Sequence, residues 1–268
     1  MILASPPDLA MWLSLLTAIA YAIPALVAER MGPSLAKRYL WLAWLLHGFT
    51  IGFGLLGETP RFGFAPALSV TVWWVFTAYA VETQYFPQLK ARWAMAILGS
   101  AAVLLSWIYP GQALQVSASL WLPMHWALGI ASYGMFAAAV VHAALMTSAE
   151  IDIRQGNEIK SGLPLLTLER LMFRFVLLGF ILLTLTLIAG FLFGELLYGA
   201  AGAQWKWDHK TVFSIFSWLT FGALLVGRHQ FGWRGRRAVR VLYIGSAFLL
   251  LAYAGSRFVL EVVLGRNL

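Results

Sequence analysis

The chain contains no cysteine, which excludes disulfides, thiolate metal ligation and thioether attachment of a cofactor to its own side chains. Charge is scarce too: 11% of the 268 residues are Asp, Glu, Lys or Arg, against about 25% in soluble domains. Acidic residues are the rarer sign, 11 against 19 basic, and fall almost wholly in loops and at the ends of apolar runs. A carrier of protons or ions normally buries carboxylates, so this distribution disfavours one, as does the lack of a detectable internal repeat. There is no G-x-x-x-x-G-K-[ST], no G-x-G-x-x-G after a strand, no H-E-x-x-H and no G-x-S-x-G. Phosphate loops, dinucleotide fingerprints, zinc-protease pairs and nucleophile elbows are therefore not expected. With no acid–base pair or nucleophile in view, the chain reads as a binding protein rather than an enzyme.

Apolar residues are what it has in abundance, at 61%. Runs of roughly 20 recur along the whole chain, enough at about 1.5 Å per residue to cross a ~30 Å hydrocarbon layer. The expected fold is all-α: a polytopic integral membrane helical bundle of about eight transmembrane helices. The spans fall near 9–28, 39–57, 66–82, 93–109, 123–147, 174–197, 210–227 and 239–263. No connection is long enough for a soluble domain, so residues 1–268 are expected to form a single transmembrane domain. A cleavable signal is not expected, because the first run leads straight into further spans and lacks a basic leader. The longest charged connection, Ser148 to Arg174, is broken by Gly156, Gly162 and Pro164, with a helix entry near Thr167.

Orientation follows from Lys and Arg in alternate loops. One side collects fourteen, from Arg30 through Arg154, Arg170 and Arg228 to Arg240; the other holds Arg61, Lys206, Lys210, Arg257 and Arg266. The positive-inside rule puts the first set in the cytoplasm and both termini outside it. The net charge of +8 is then loop charge facing anionic lipid headgroups, and nucleic acid is not an expected partner.

With thiols absent, histidine is the strongest transition-metal ligand available, and five occur. His125 opens the fifth span and His209 the seventh, both at the outer face. His142 lies about 25 Å deeper than His125 on the same helix. His229 follows the seventh span at the cytoplasmic edge, and His47 sits near the middle of the second. His229 and His142 read most simply as interfacial residues. His47 is either satisfied by an interhelical hydrogen bond or used for ligation or a proton path. His125 and His209 share a depth with Trp121, Trp126, Trp205 and Trp207, an inventory suited to a bis-histidine haem, although tryptophan belts are common in membrane proteins. In the third span, Glu82 either snorkels or pairs with a neighbouring base, and Tyr85 and Phe86 read as an interfacial belt ended by Pro87. Arg257 and Glu261 form a same-face pair near the end of the eighth span, for structural locking or for a haem propionate.

The order of features is also familiar. W-K-W-D-H-K-T before the seventh span, G-W-R-G-R-R-A at the cytoplasmic turn and A-Y-A-G-S-R-F-V-L-E in the last span follow H-W-A-L-G-I-A-S-Y-G-M-F and E-R-L-M-F-R. Together they resemble the cytochrome c assembly (CcsA/HemX/CcmC-like) superfamily over nearly the whole chain, with a core of roughly 39–264. Within it they look like the branch of eight-span inner-membrane proteins called YpjD. The resemblance implies multi-pass residence in the bacterial inner membrane and a tryptophan-rich extracytoplasmic segment that binds haem between flanking histidines. Trp205, Trp207 and Asp208 would be the tail of that segment, His125 its first flanking ligand, and His47 an intramembrane histidine of the larger synthetases. Only the last part of the motif is present, His209 stands where ligases usually have proline, and no histidine follows His229 in this sequence.

Two readings result. In one, the chain is a haem-handling accessory protein of cytochrome c biogenesis, with His125 and His209 as axial ligands and other biogenesis or membrane proteins as partners. Such ligation is expected to fail well below the ~6.5 pKa of an ordinary imidazole. In the other, it is a haem-free scaffold that binds or stabilises another membrane protein.

Overall fold

The computed structural model describes residues 9–26, 33–56, 61–86, 92–113, 121–193 and 208–255. These form helices α1 (Leu9–Leu26), α2 (Pro33–Leu56), α3 (Phe64–Tyr85), α4 (Arg92–Ile108), α5 (Trp121–Arg154), α6 (Leu165–Leu192), α7 (His209–Phe231) and α8 (Gly235–Leu250). A π-helical turn, Leu251–Gly255, continues α8. Strands β1 (Arg61–Phe62) and β2 (Gln112–Ala113) pair antiparallel, Arg61 opposite Ala113 and Phe62 opposite Gln112. Gly111 enters β2 at φ 78°, and a Cβ there would run into the Phe62 carbonyl, so the close approach requires glycine.

Each expected span is met by a helix within the described residues; residues 27–28, 57, 194–197 and 256–263 of those spans lie outside them, and some of the described ends are shifted. The sixth helix begins at Leu165 rather than 174, after Gly162 at φ 74° and the extended Pro164. Its first turns bury Glu169 and expose Arg170 and Arg174, an amphipathic start that hydropathy alone clips off. The fifth runs to Arg154 instead of 147, because the polar turns around Glu150 and Asp152 remain helical.

The helices group into two compact units whose boundary falls inside α3, after Thr77. In the first, α1 packs on α2 and α4. The Tyr21 ring lies so close to Gly99 of α4 that an added Cβ would sit 2.8 Å from it. The Trp44 and Trp73 rings stack at 5.0 Å and 12°. Trp73 Nε1 donates to the Trp44 carbonyl at 3.1 Å and Trp44 Nε1 to Thr77 Oγ1 at 3.0 Å, tying α2 to α3.

In the second unit α5 packs on α6, α6 on α7, α7 on α8 and α8 back on α5, closing a four-helix ring. Phe136 of α5 and Phe221 of α7 stack at 3.7 Å and 7° in its middle. Glycines receive these rings: a Cβ at Gly179 would meet Phe136 at 3.1 Å, and one at Gly245 would meet Phe221 at 2.7 Å. Small residues at helix contacts are how packing, rather than water exclusion, holds helices together in lipid. Ser217 Oγ donates to the Gly245 carbonyl at 2.9 Å, and Tyr133 Oη to the Leu249 carbonyl at 2.6 Å.

The outer faces are as apolar as the inner ones. On α6 the buried face is Leu168, Met172, Val176, Gly179 and Leu183, while Leu177, Ile181, Leu185, Ile188 and Leu192 stand exposed. Among the described residues, α3, α5 (from Met124), α6 and α7 are each long and apolar enough to cross a membrane. Their exposed apolar faces fit a hydrocarbon solvent and are disfavoured in water.

Candidate functional site

The two ends of the four-helix ring differ in chemistry. At one, ion pairs join the helix ends. Glu150 on α5 receives Arg154 at 2.6 Å and Arg236 of α8 at 3.2 Å. Glu169 on α6 lies 3.6 Å from Arg228 of α7 and accepts the Gly235 N–H at 3.3 Å. Asp152 accepts the Lys160 N–H at 3.2 Å, anchoring the α5–α6 loop. The Arg237 guanidinium stacks on Trp233 with 4.1 Å to the ring centre. These contacts gather Arg154, Lys160, Arg228, Arg236 and Arg237, five of the fourteen basic residues expected on the cytoplasmic side, at one end of the ring.

At the opposite end meet the start of α5, the last turns of α6 and the start of α7. His125 lies in the first turns of α5, half-buried, with its ring against Gly190 of α6; a Cβ at Gly190 would come to 3.4 Å from His125 Cε1. Lys210 of α7 is within electrostatic reach of the same ring. His209 is exposed as the first residue of α7. The structure thus brings the starts of the His125 and His209 helices to one end of the ring. Asp208, just ahead, is the α7 N-cap: its Oδ1 accepts the Thr211 N–H at 2.8 Å. Trp205 and Trp207 lie outside the described residues, as do Arg257 and Glu261, and Trp121 is described only as the first residue of α5. Among the described residues no three His, Asp or Glu side chains gather to hold a metal ion.

His47 belongs to the other unit. It is fully buried, with Nδ1 3.1 Å from Tyr21 Oη and Nε2 2.8 Å from Ser69 Oγ. A neutral imidazole has one donor and one acceptor nitrogen, so one hydroxyl donates to it and the other accepts. Both nitrogens are engaged, the interhelical hydrogen-bonding alternative for this residue. Coordinating a metal would require giving up one of these bonds.

His142 departs from its interfacial reading. It is 3% exposed, with Nδ1 2.8 Å from the Ala138 carbonyl and Nε2 3.0 Å from Glu82 Oε1. Of the two options for Glu82, pairing with a base is the one observed. The sequence held a signal for this pair, since His142 interrupts an apolar run and Glu82 stands at the end of another, but their sixty-residue separation hides the partnership. His229 is exposed at the end of α7, as expected of an edge residue.

Comparison with known proteins agrees with the architecture. The family model described as Cytochrome C assembly protein matches residues 34–264. The Inner membrane protein YpjD of Escherichia coli (strain K12) is 30% identical over 201 residues, covering 73% of each chain. The Cytochrome c biogenesis protein CcsA of Prochlorococcus marinus subsp. pastoris is 25% identical over 238 residues, covering 84% of this chain and 71% of that one. A mostly helical, polytopic membrane chain with this match over most of its length belongs to the cytochrome c assembly protein family.

Proposed function

We propose that the protein handles haem in cytochrome c assembly in the bacterial inner membrane, holding it at the extracytoplasmic end of the α5–α8 ring. The observation that carries this reading is the placement of His125 over Gly190, at the end where α7 begins with His209. A Cβ at residue 190 would meet the imidazole at van der Waals distance, so the ring packs directly on this stretch of α6. His125 and His209 would each offer an imidazole nitrogen to the haem iron, with Trp205 and Trp207 offering indole faces to the flat ring and Asp208 shaping the loop through its cap. Bound there, haem would supply its iron and its flat ring as the group handed on or sensed. The chain's own part is to bind and orient it, with no catalytic step assigned. The proposal includes eight spans, one for each apolar run, with both termini outside the cytoplasm, the orientation the positive-inside rule gives for the fourteen Lys and Arg of alternate loops from Arg30 to Arg240.

Haem titration into the purified protein tests the assignment. His125→Ala is expected to weaken binding at least tenfold and shift the Soret band, while His229→Ala at the opposite end leaves both unchanged. Equal binding by wild type and His125→Ala would remove His125 from the site.

A second reading, a haem-free scaffold for another membrane protein, draws on two side chains with structural work of their own. His47 has both nitrogens in hydrogen bonds, and Asp208 caps a helix. Recovery of a stoichiometric partner in mild detergent, with no haem in either chain, would favour it.

A further inference from the structure

Glu82 and His142 are buried titratable groups that the haem reading does not use. Glu82 lies on α3, one turn before its end at Tyr85, and His142 lies in the body of α5. Both fall in the compact unit of residues 78–90 and 116–268. Their side chains are 9% and 4% exposed, with His142 Nε2 3.0 Å from Glu82 Oε1. The approach is off the line of a directed hydrogen bond, and among the described residues neither atom has another hydrogen-bond partner.

The second ring nitrogen locates the protons. Nδ1 lies 2.8 Å from the Ala138 carbonyl oxygen, which can only accept, so Nδ1 carries a hydrogen. A neutral ring would then turn a bare Nε2 lone pair toward a carboxylate oxygen, placing two acceptors 3.0 Å apart in a buried site. Choosing the other tautomer only moves the clash to Ala138. One added proton removes both conflicts, either as imidazolium beside carboxylate or as carboxylic acid beside neutral imidazole. Either form is neutral as a pair, which a low-dielectric interior favours over a lone negative charge.

We infer that Glu82 of α3 and His142 of α5 together form a buried binding site for one proton. The balance is simple: a carboxylate, a neutral imidazole and one proton give the neutral pair, with no other reactant.

The charged groups on the packed elements are engaged elsewhere or exposed. On α6, which meets the His142 ring through Phe175, Glu169 is held by Arg228, and Arg170 and Arg174 are exposed. On α5 itself Glu150 and Asp152 pair with Arg154 and Lys160. On α8, Arg236 pairs with Glu150, Arg237 stacks on Trp233, and Arg240 and Tyr243 are exposed. On α3, Tyr79 is half-buried and Tyr85 exposed. Among the described residues of these elements, the other formal charges are thus paired, stacked on a ring or exposed.

The test is a proton count on the full chain in lipid nanodiscs at neutral pH. Heavy-nitrogen histidine is read by solid-state magnetic resonance, and carboxyl groups by infrared difference spectroscopy. The expected result is an imidazolium pattern at both nitrogens of His142, or a protonated-carboxyl stretch that vanishes in Glu82→Gln. In Glu82→Gln the side-chain amide can donate to Nε2, so His142 is expected to be neutral with its hydrogen on Nδ1. If that variant or His142→Asn fails to accumulate, the His142 signals are assigned through the Phe175 ring, 5.2 Å away between centroids. The wild-type ring then still reports whether Nε2 is protonated or accepts a hydrogen from Glu82. A neutral His142 beside an ionised Glu82 in the wild-type chain would overturn the inference.

Discussion

Replacing Asp208 in two ways separates two roles of one side chain. Its carboxylate caps α7 through the Thr211 N–H, and loss of such a cap costs about 0.5–2 kcal/mol. Asp208→Ala is therefore expected to lower the thermal midpoint of the detergent-solubilised protein, while Asp208→Asn, which keeps an accepting oxygen, leaves it nearly unchanged. If both variants matched wild type, the cap would contribute nothing measurable. At this scale the sequence was only partly legible. The depth of His47 could be read from its place in an apolar run, but its bonds to Tyr21 and Ser69 come from two other helices. His142 shows the same limit more sharply, since no local pattern couples it to Glu82. The cap, by contrast, is local, and Asp three residues before Thr211 is a readable signal.

Among elements, the meeting of α5, α7 and α8 depends on glycine. Phe221 lies between Phe136 on α5 and Gly245 on α8, where even a Cβ would come to 2.7 Å. Gly245→Leu must push the ring or the helix aside, at a cost of roughly 1–3 kcal/mol for overpacking. The expected outcome is a lower thermal midpoint and faster proteolysis of the α7–α8 hairpin. A Gly245→Leu chain as stable as wild type would show that the two helices do not approach this closely. Helix existence was legible because long apolar runs leave little else to form in lipid. Helix ends were less so: the start of α6 is amphipathic, and its charged residues look like loop until Glu169 is seen buried against Arg228. The pairing of glycines with rings was not legible either, since many glycines in the chain have no such neighbour.

For the whole molecule, the absence of cysteine makes topology directly testable. Met124, exposed at the start of α5, and Gln230, exposed at the end of α7, lie at opposite ends of the ring. With the basic end in the cytoplasm, Met124→Cys should react with an impermeant maleimide in spheroplasts, and Gln230→Cys only after permeabilisation. The reverse pattern would invert the orientation and move the His125 end to the cytoplasm. Whether this end holds haem is read from the reduced-minus-oxidised spectrum of the protein purified in detergent from haem-replete cells. The expected result is a haem spectrum in the wild type that is lost or strongly reduced in His125→Ala and altered in His209→Ala. A wild-type protein with no haem, or a spectrum untouched by either substitution, would contradict it.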